Sequence, residues 1–344
     1  MVAPRTFPNW VDLSISCFNA RLIHFFRIFL KPYDVTFELL KESTSYFGYN
    51  PRQCFQASSS VITLKVKKRV AESAIISAAH RDILRVLLGT RSGDSDISDM
   101  IFQIFPSNTD TDTGRLLSHS HFEPVSRWAL NLLLRCYEAC KPHATADFYY
   151  RLVWIPGAAS LRGHLFERQV LDHLDGICAG HTFAIRGLTD PEQTQTWNYR
   201  GSTQHIAFQE SAVFKEISEA VQDLKPRHLV PLVCNFPGMD SILYDPDDPD
   251  AVITCIQITM NMDRVILVRG LQLLQRWFKL GSLLEGLRPT NAKPWRLLFV
   301  VPSHMERTFK SQMLKGDTPD NVWAGKVRQY VLGLEEGTIF RRRT

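Results

Sequence analysis

The sequence predicts an α/β protein: a mixed-sheet C-terminal domain preceded by a mainly α-helical region. Three observations predict it. From residue 155 onward, apolar strand-like runs alternate with amphipathic helical runs, the order that builds a sheet covered by helices. Between residues 35 and 154, apolar residues recur at helical spacing and no strand alternation stands out. The chain has 344 residues, 44% of them hydrophobic and 22% charged. That suffices for two domains with real cores and is far from the composition of a disordered chain.

Residues 1–34 belong clearly to neither part. Their apolar stretch Ile23–Leu30 is interrupted by His24 and Arg27 and followed by Lys31-Pro32. It is too short and too charged to span a bilayer, and it lacks a small-residue cleavage site. An amphipathic helix packed on the fold is the expectation, with no membrane partner. In the helical region 35–154, Val70–Leu88 carries Ile75, Ile76, Ile83, Leu84, Leu87 and Leu88 at helical spacing. Gly89–Asp99, with Asp94 and Asp96, reads as a polar loop. Ser126–Tyr137 repeats the helical pattern through Trp128, Leu130, Leu132, Leu133 and Leu134 until Pro142 breaks it, and Phe148–Val153 begins another short element. Pro156-Gly157-Ala-Ala-Ser160 reads as a linker.

The domain over residues 155–335 opens with a helix at Gly163–Leu174, whose Leu165, Phe166, Val170, Leu171 and Leu174 share one side. Thr182–Leu188 and Gln204–Phe208 read as short strands. Val213–Leu224 is a helix closed by Pro226. His228–Cys234, Ser241–Tyr244 and Ala251–Met260 are β-rich. Val265–Leu280 is a long helix, and Trp295–Val301 is the final strand, ended by Pro302. Residues 336–344 form a basic tail.

The formal net charge of +5 permits contact with a polyanion without demanding it. Seven scattered cysteines, an odd number, suit reduced thiols and an intracellular protein, in nucleus or cytoplasm. Cys136-x-x-x-Cys140-x-x-His143 lacks a second matching pair, so thiols are favoured there over zinc. Arg341-Arg342-Arg343 suits phosphate contact or nuclear entry as well as a frayed terminus. Lys65, Lys67, Lys68 and Arg69, the densest basic run, suit a polyanion or simply a charged helix face.

Three segments carry candidate chemistry: Gly163-His-Leu-Phe-Glu167, Met239-Asp240-Ser-Ile-Leu-Tyr-Asp245 and Cys255-Ile-Gln257-Ile-Thr259. Gln257 and Thr259 are two residues apart in a strand and so share a face. Asp240 follows the turn-like Asn235-Phe-Pro-Gly238 and precedes an apolar strand. Glu167 lies four residues into its helix. Asp245 adjoins Pro246–Asp250, which reads as a solvated turn. Clustered oxygen ligands hold a hard cation such as Mg²⁺. A metal-bound water then attacks a phosphodiester, and a nearby basic group offsets the charge that builds up. Each residue also has a plain reading. Glu167 alone is a solvated helix residue, and Asp240 a turn cap. A buried Gln257 belongs to a site or to a structural network. Thr259 is a β-former.

With Pro237–Asp245, Cys255–Met260, the helix Val268–Trp277, the strand Trp295–Pro302 and Phe309-Lys-Ser-Gln312 in this order, residues 155–335 resemble the nuclease-like domain of retrotransposon hot-spot (RHS) and Crinkler-type proteins. Tyr46–Arg52 and Val125–Leu130 resemble the helical region that such proteins carry ahead of it. The resemblance implies a PD-(D/E)XK, restriction-endonuclease-like fold and a Mg²⁺-dependent nuclease ancestry. It puts Glu167, Asp240 and Gln257 in the metal-binding and water-positioning places. Thr259 stands where the motif has lysine. Lys279 is then the candidate for a migrated amine, with Arg296 and Lys310 behind it. No Gly-x-x-x-x-Gly-Lys-Ser/Thr loop occurs, so no ATP site is expected. Two functions follow from this reading. One is a Mg²⁺-dependent nuclease acting on DNA or RNA. The other is a catalytically inactive, effector-like protein that keeps the fold and binds nucleic acid, or binds a protein through the helical region.

Overall fold

The computed structural model describes residues 36–48, 50–77, 102–106, 120–140, 144–155, 158–177, 180–189, 194–206, 210–231, 236–263, 266–279, 281–315 and 323–340. The segment 1–34, the loop Gly89–Asp99, the second half of the Val70–Leu88 run and the tail from Arg341 lie outside the described residues. The chain divides into two compact units. One is Met1–Gln103 with Pro124–Leu133, and the other is Ile104–Glu123 with Leu134–Thr344.

The smaller unit contains α1 (Phe37–Phe47), α2 (Pro51–Ala57) and α3 (Val61–Ser77). Local chemistry sets their starts. Thr36 Oγ1 accepts from Leu39 N–H at 3.3 Å, and Asn50 Oδ1 accepts from Gln53 N–H at 3.2 Å with Pro51 in the first helical position. Gly48, at φ +59°, turns the chain between α1 and α2, and a Cβ there would lie 1.6 Å from Val125 O. Phe47, Cys54, Ala57, Leu64 and Ala71 form the core. The basic run is partly committed: Lys68 Nζ lies 4.4 Å from the centre of the Tyr46 ring, and Lys67 Nζ donates to Gln56 at 2.9 Å.

Three elements span the division: α4 (Arg127–Cys140), β1 (Phe102–Pro106) and β2 (Ser120–Pro124), the last two paired in a two-stranded sheet. These strands fall within the stretch whose sequence showed helical spacing alone.

The larger unit is a mixed α/β structure. Its chain order is α5 (Ala144–Leu152), α6 (Ala159–Gly176), β3 (His181–Gly187), β4 (Thr194–Tyr199), β5 (Ser202–Ile206), α7 (Glu210–Asp223), β6 (Arg227–Pro231), β7 (Ser241–Tyr244), β8 (Ile253–Ile258), β9 (Ile266–Leu267), α8 (Val268–Trp277), β10 (Trp295–Pro302), α9 (Ser303–Glu306), β11 (Leu314–Lys315), β12 (Val327–Leu334) and α10 (Glu336–Ile339). Eight strands form one sheet in the order β4-β3-β12-β10-β8-β7-β6-β5, and β9 and β11 pair separately. The pairs β5–β6, β8–β10 and β10–β12 are parallel. The pairs β3–β4, β3–β12, β6–β7 and β7–β8 are antiparallel. Every residue of β7, β8 and β10 is buried, as expected of strands covered on both faces.

One layer comes from α7 (Val213, Ile217, Ala220) and α8 (Leu271, Leu274), packed with Ile242, Cys255, Leu297 and Phe299 of the sheet. Helix α6 buries Leu161, Leu165, Phe166, Val170, Leu171 and Leu174 and packs against β8. Gly270 of α8 lies so close to the turn before β7 that a Cβ would sit 1.7 Å from Pro237 O. The helix expected over Val265–Leu280 is shorter, because Ile266 and Leu267 pair with β11 first. The strand at Trp295, expected to be the final one, is not: β12 follows it and lies inside the sheet, and β4 is a further strand beyond those expected. Among the described residues no helix is long and apolar enough to cross a membrane.

Candidate functional site

The turn through Pro237 and Gly238 (φ +79°) delivers Asp240 to the start of β7. Its N–H donates to Ile256 O at 2.8 Å, and the ladder then continues with Ser241 opposite Ile256. Asp240 therefore stands one step beyond that pair, opposite Gln257 at the end of β8. Its Oδ2 accepts from Gln257 Nε2 at 2.7 Å and from Ile258 N–H at 2.7 Å. Gln257 is 1% exposed. Asp240 and Gln257, paired by the sequence reading, thus meet directly, and the contact is a clasp between strand ends.

Thr259 is buried just past β8. Its N–H donates to Val300 O at 3.0 Å, and its Oγ1 accepts from Asn261 N–H at 3.0 Å, closing a local turn. Glu167 lies on α6, with its Oε2 3.6 Å from His164 Nδ1. Lys279, exposed, pairs with Glu210 at the start of α7.

Arg296 is 1% exposed and forked onto Asp248, with Thr254 Oγ1 at 3.3 Å from Nη1 and Asp250 Oδ2 at 3.8 Å from Nη2. In register it stands beside Thr254, three residues before the Phe299–Gln257 pair and therefore on the opposite face of the sheet. The acidic turn Pro246–Asp250, expected to be solvated, is exposed at Asp247, Pro249 and Asp250, while Asp248, with a side chain only 7% exposed, anchors it through this ion pair. Lys310 is exposed, and its carbonyl accepts from Gln312 Nε2 at 2.7 Å. The same amide also donates to Met262 O at 2.9 Å, tying Phe309–Gln312 to the loop after Thr259.

A second polar group lies under the site and was not read from the sequence. His228 of β6 is fully buried, with Nδ1 3.0 Å from Tyr199 Oη and 3.3 Å from Thr203 Oγ1, and with Nε2 2.9 Å from Ser241 Oγ. Burial pushes its pKa down to about 3, so the ring is neutral. Its only sequence signal is a histidine opening an apolar run. Cys255, on the Gln257 face, is also buried, and desolvation pushes its thiol up to about 12. It packs as a small apolar side chain rather than serving as a nucleophile.

These side chains fit Mg²⁺ poorly as arranged. Mg²⁺ takes oxygen ligands in a near-octahedral set. Here one Asp240 oxygen already accepts two short hydrogen bonds, and Gln257 offers that oxygen its N–H₂ side. Among the described residues, no three His, Cys, Asp or Glu side chains gather as a cation site. No protein-family model, no curated protein and no solved structure matches the chain.

Proposed function

We propose that the larger unit is a restriction-endonuclease-like domain of the PD-(D/E)XK type whose former catalytic corner now fastens the sheet, so that the protein acts by binding rather than by cutting. The order of its parts supports the fold reading. A helix bearing Glu167 comes first; after β3 to β6 comes a strand entered by Asp240, then an antiparallel strand bearing Gln257, a helix, and a strand parallel to that of Gln257. The observation that carries the functional reading is the Asp240 carboxylate, one oxygen of which is held at 2.7 Å by both Gln257 and Ile258. Phosphodiester hydrolysis also needs a cation close to the attacked phosphate. Thr259 supplies none, and Lys279 and Arg296 are paired with Glu210 and Asp248.

A Mg²⁺-dependent nuclease is the second reading. It is favoured by the meeting of Asp240 and Gln257 at adjacent strand ends, with the exposed Lys310 as the remaining amine. A cleavage assay with Mg²⁺ on single-stranded DNA, duplex DNA and RNA, comparing the native chain with Asp240→Ala, separates the two. The binding reading expects no cleavage above that of the variant. Cleavage by the native chain that Asp240→Ala abolishes overturns it and establishes the nuclease.

A further inference from the structure

Helix α5 ends in a surface that neither reading of the Asp240–Gln257 corner explains. Phe148, Tyr149 and Leu152 are at most 1% exposed and fix the helix to the unit. The chain then leaves through three backbone bonds: Val153 N–H to Tyr150 O at 3.3 Å, Trp154 N–H to Arg151 O at 3.3 Å, and Ile155 N–H to Leu152 O at 3.1 Å. On this pinned turn Trp154 is 84% exposed, Tyr150 44% and Val153 43%, and Arg151 between them is exposed as well. An indole held almost wholly in water forgoes much of the burial that usually stabilises the residue.

The Tyr150 ring centre is 6.3 Å from that of Phe340, and the sequence continues from Phe340 directly into Arg341-Arg342-Arg343. Two acids are also near, since Glu335 and Glu336 act on the Tyr150 hydroxyl. Glu336 is already engaged, accepting from Tyr149 Oη and lying 3.7 Å from His304. Tyr149 Oη in turn is 3.7 Å from Met260 Sδ, one residue past Thr259.

We propose that Trp154, with Tyr150 and Arg151, is a stacking platform for the bases of single-stranded nucleic acid. The surface suits this ligand better than a protein. A stable protein interface buries roughly 800 Å² of polar and apolar surface on each side, more than three side chains present. A stacked base needs one ring face and a cation for its phosphate. Every base has a π face, so the platform reads strandedness rather than sequence. The proposal stands on this surface alone and is independent of whether the Asp240–Gln257 corner is catalytic.

The test is fluorescence anisotropy of labelled oligothymidine and oligouridine of about 12 nucleotides with the full chain, in EDTA and at about 50 mM salt. The native chain should bind both. W154A should bind roughly five- to 150-fold more weakly, the range for losing one stacked base. W154F should recover most of the loss, and a duplex of equal length should bind more weakly than either single strand. R151Q should flatten the salt dependence. Because Trp154 is 84% exposed, W154A should keep the native melting temperature, which separates lost contact from lost fold. No binding by the native chain, equal binding by W154A, or preference for the duplex overturns the proposal. EDTA keeps the outcome separate from any cleavage.

Discussion

Replacing Asp240 by alanine should cost stability. The carboxylate accepts from two donors at 2.7 Å, the Gln257 amide and the Ile258 N–H, on residues 1% and 3% exposed. Hydrogen bonds to a charged group contribute about 1.5–3 kcal/mol each, and a buried donor left unpaired costs about 1–3 kcal/mol. Asp240 is itself half-buried, so water recovers part of that loss. A net cost of about 2–3 kcal/mol follows, roughly 30- to 150-fold in the local opening equilibrium. Hydrogen exchange of a peptide spanning Ile258 reads it directly, and a urea titration reads the sum. Gln257→Leu in the same chain completes a cycle. Removing both partners should cost at least about 1 kcal/mol less than the two single losses together, because the second change no longer strands a donor. Unchanged Ile258 exchange in Asp240→Ala, together with strictly additive losses, would refute the clasp.

Arg296→Ala strands the nearly buried Asp248 carboxylate and should cost about 3–5 kcal/mol in urea unfolding; Arg296→Lys should also lose stability, since a lysine cannot reproduce the fork. His228 gives a pH dependence. Its folded pKa of about 3 lies below the ordinary histidine value, so the unfolded chain takes up the proton first. Its contribution is intact above pH ~6.5 and falls by about 1.4 kcal/mol per unit as pH drops toward 3. His228→Gln should flatten that slope in unfolding curves recorded between these limits. Lys279→Ala removes an exposed ion pair and should shift stability by no more than about 0.5 kcal/mol. A larger shift would mean that Lys279 does more than pair with Glu210.

The buried central strands were legible because their signal is local: Ser241–Tyr244 and Trp295–Val301 are nearly continuous apolar runs. The Asp240–Gln257 meeting was legible for a related reason, since each polar residue interrupts or borders such a run. Strand β12 was not, because its Gln329 is satisfied far away in the chain. Gln312 N–H donates to Gln329 Oε1 at 2.8 Å, and Gln329 Nε2 donates to Gln312 O at 2.9 Å. Gly333 sits against Glu306, which also hides its strand character. The turn Pro246–Asp250 is exposed at Asp247, Pro249 and Asp250, as its composition suggests, but composition does not show that Arg296 folds against Asp248. The pairing of exposed Lys279 with Glu210 joins residues nearly seventy positions apart, which chain order does not reveal.

The position of β12 also bears on how the chain is made. It is the last strand of the large sheet to be synthesised, yet it seats between β3 and β10 and hydrogen-bonds to both. Until Val327–Leu334 leaves the ribosome, β3–β4 and the β10 block each present an open ladder to any passing strand. A message interrupted ahead of Val327 therefore encodes two unsealed part-sheets and a tendency to clump, and chaperone demand should peak just before Val327–Leu334 emerges.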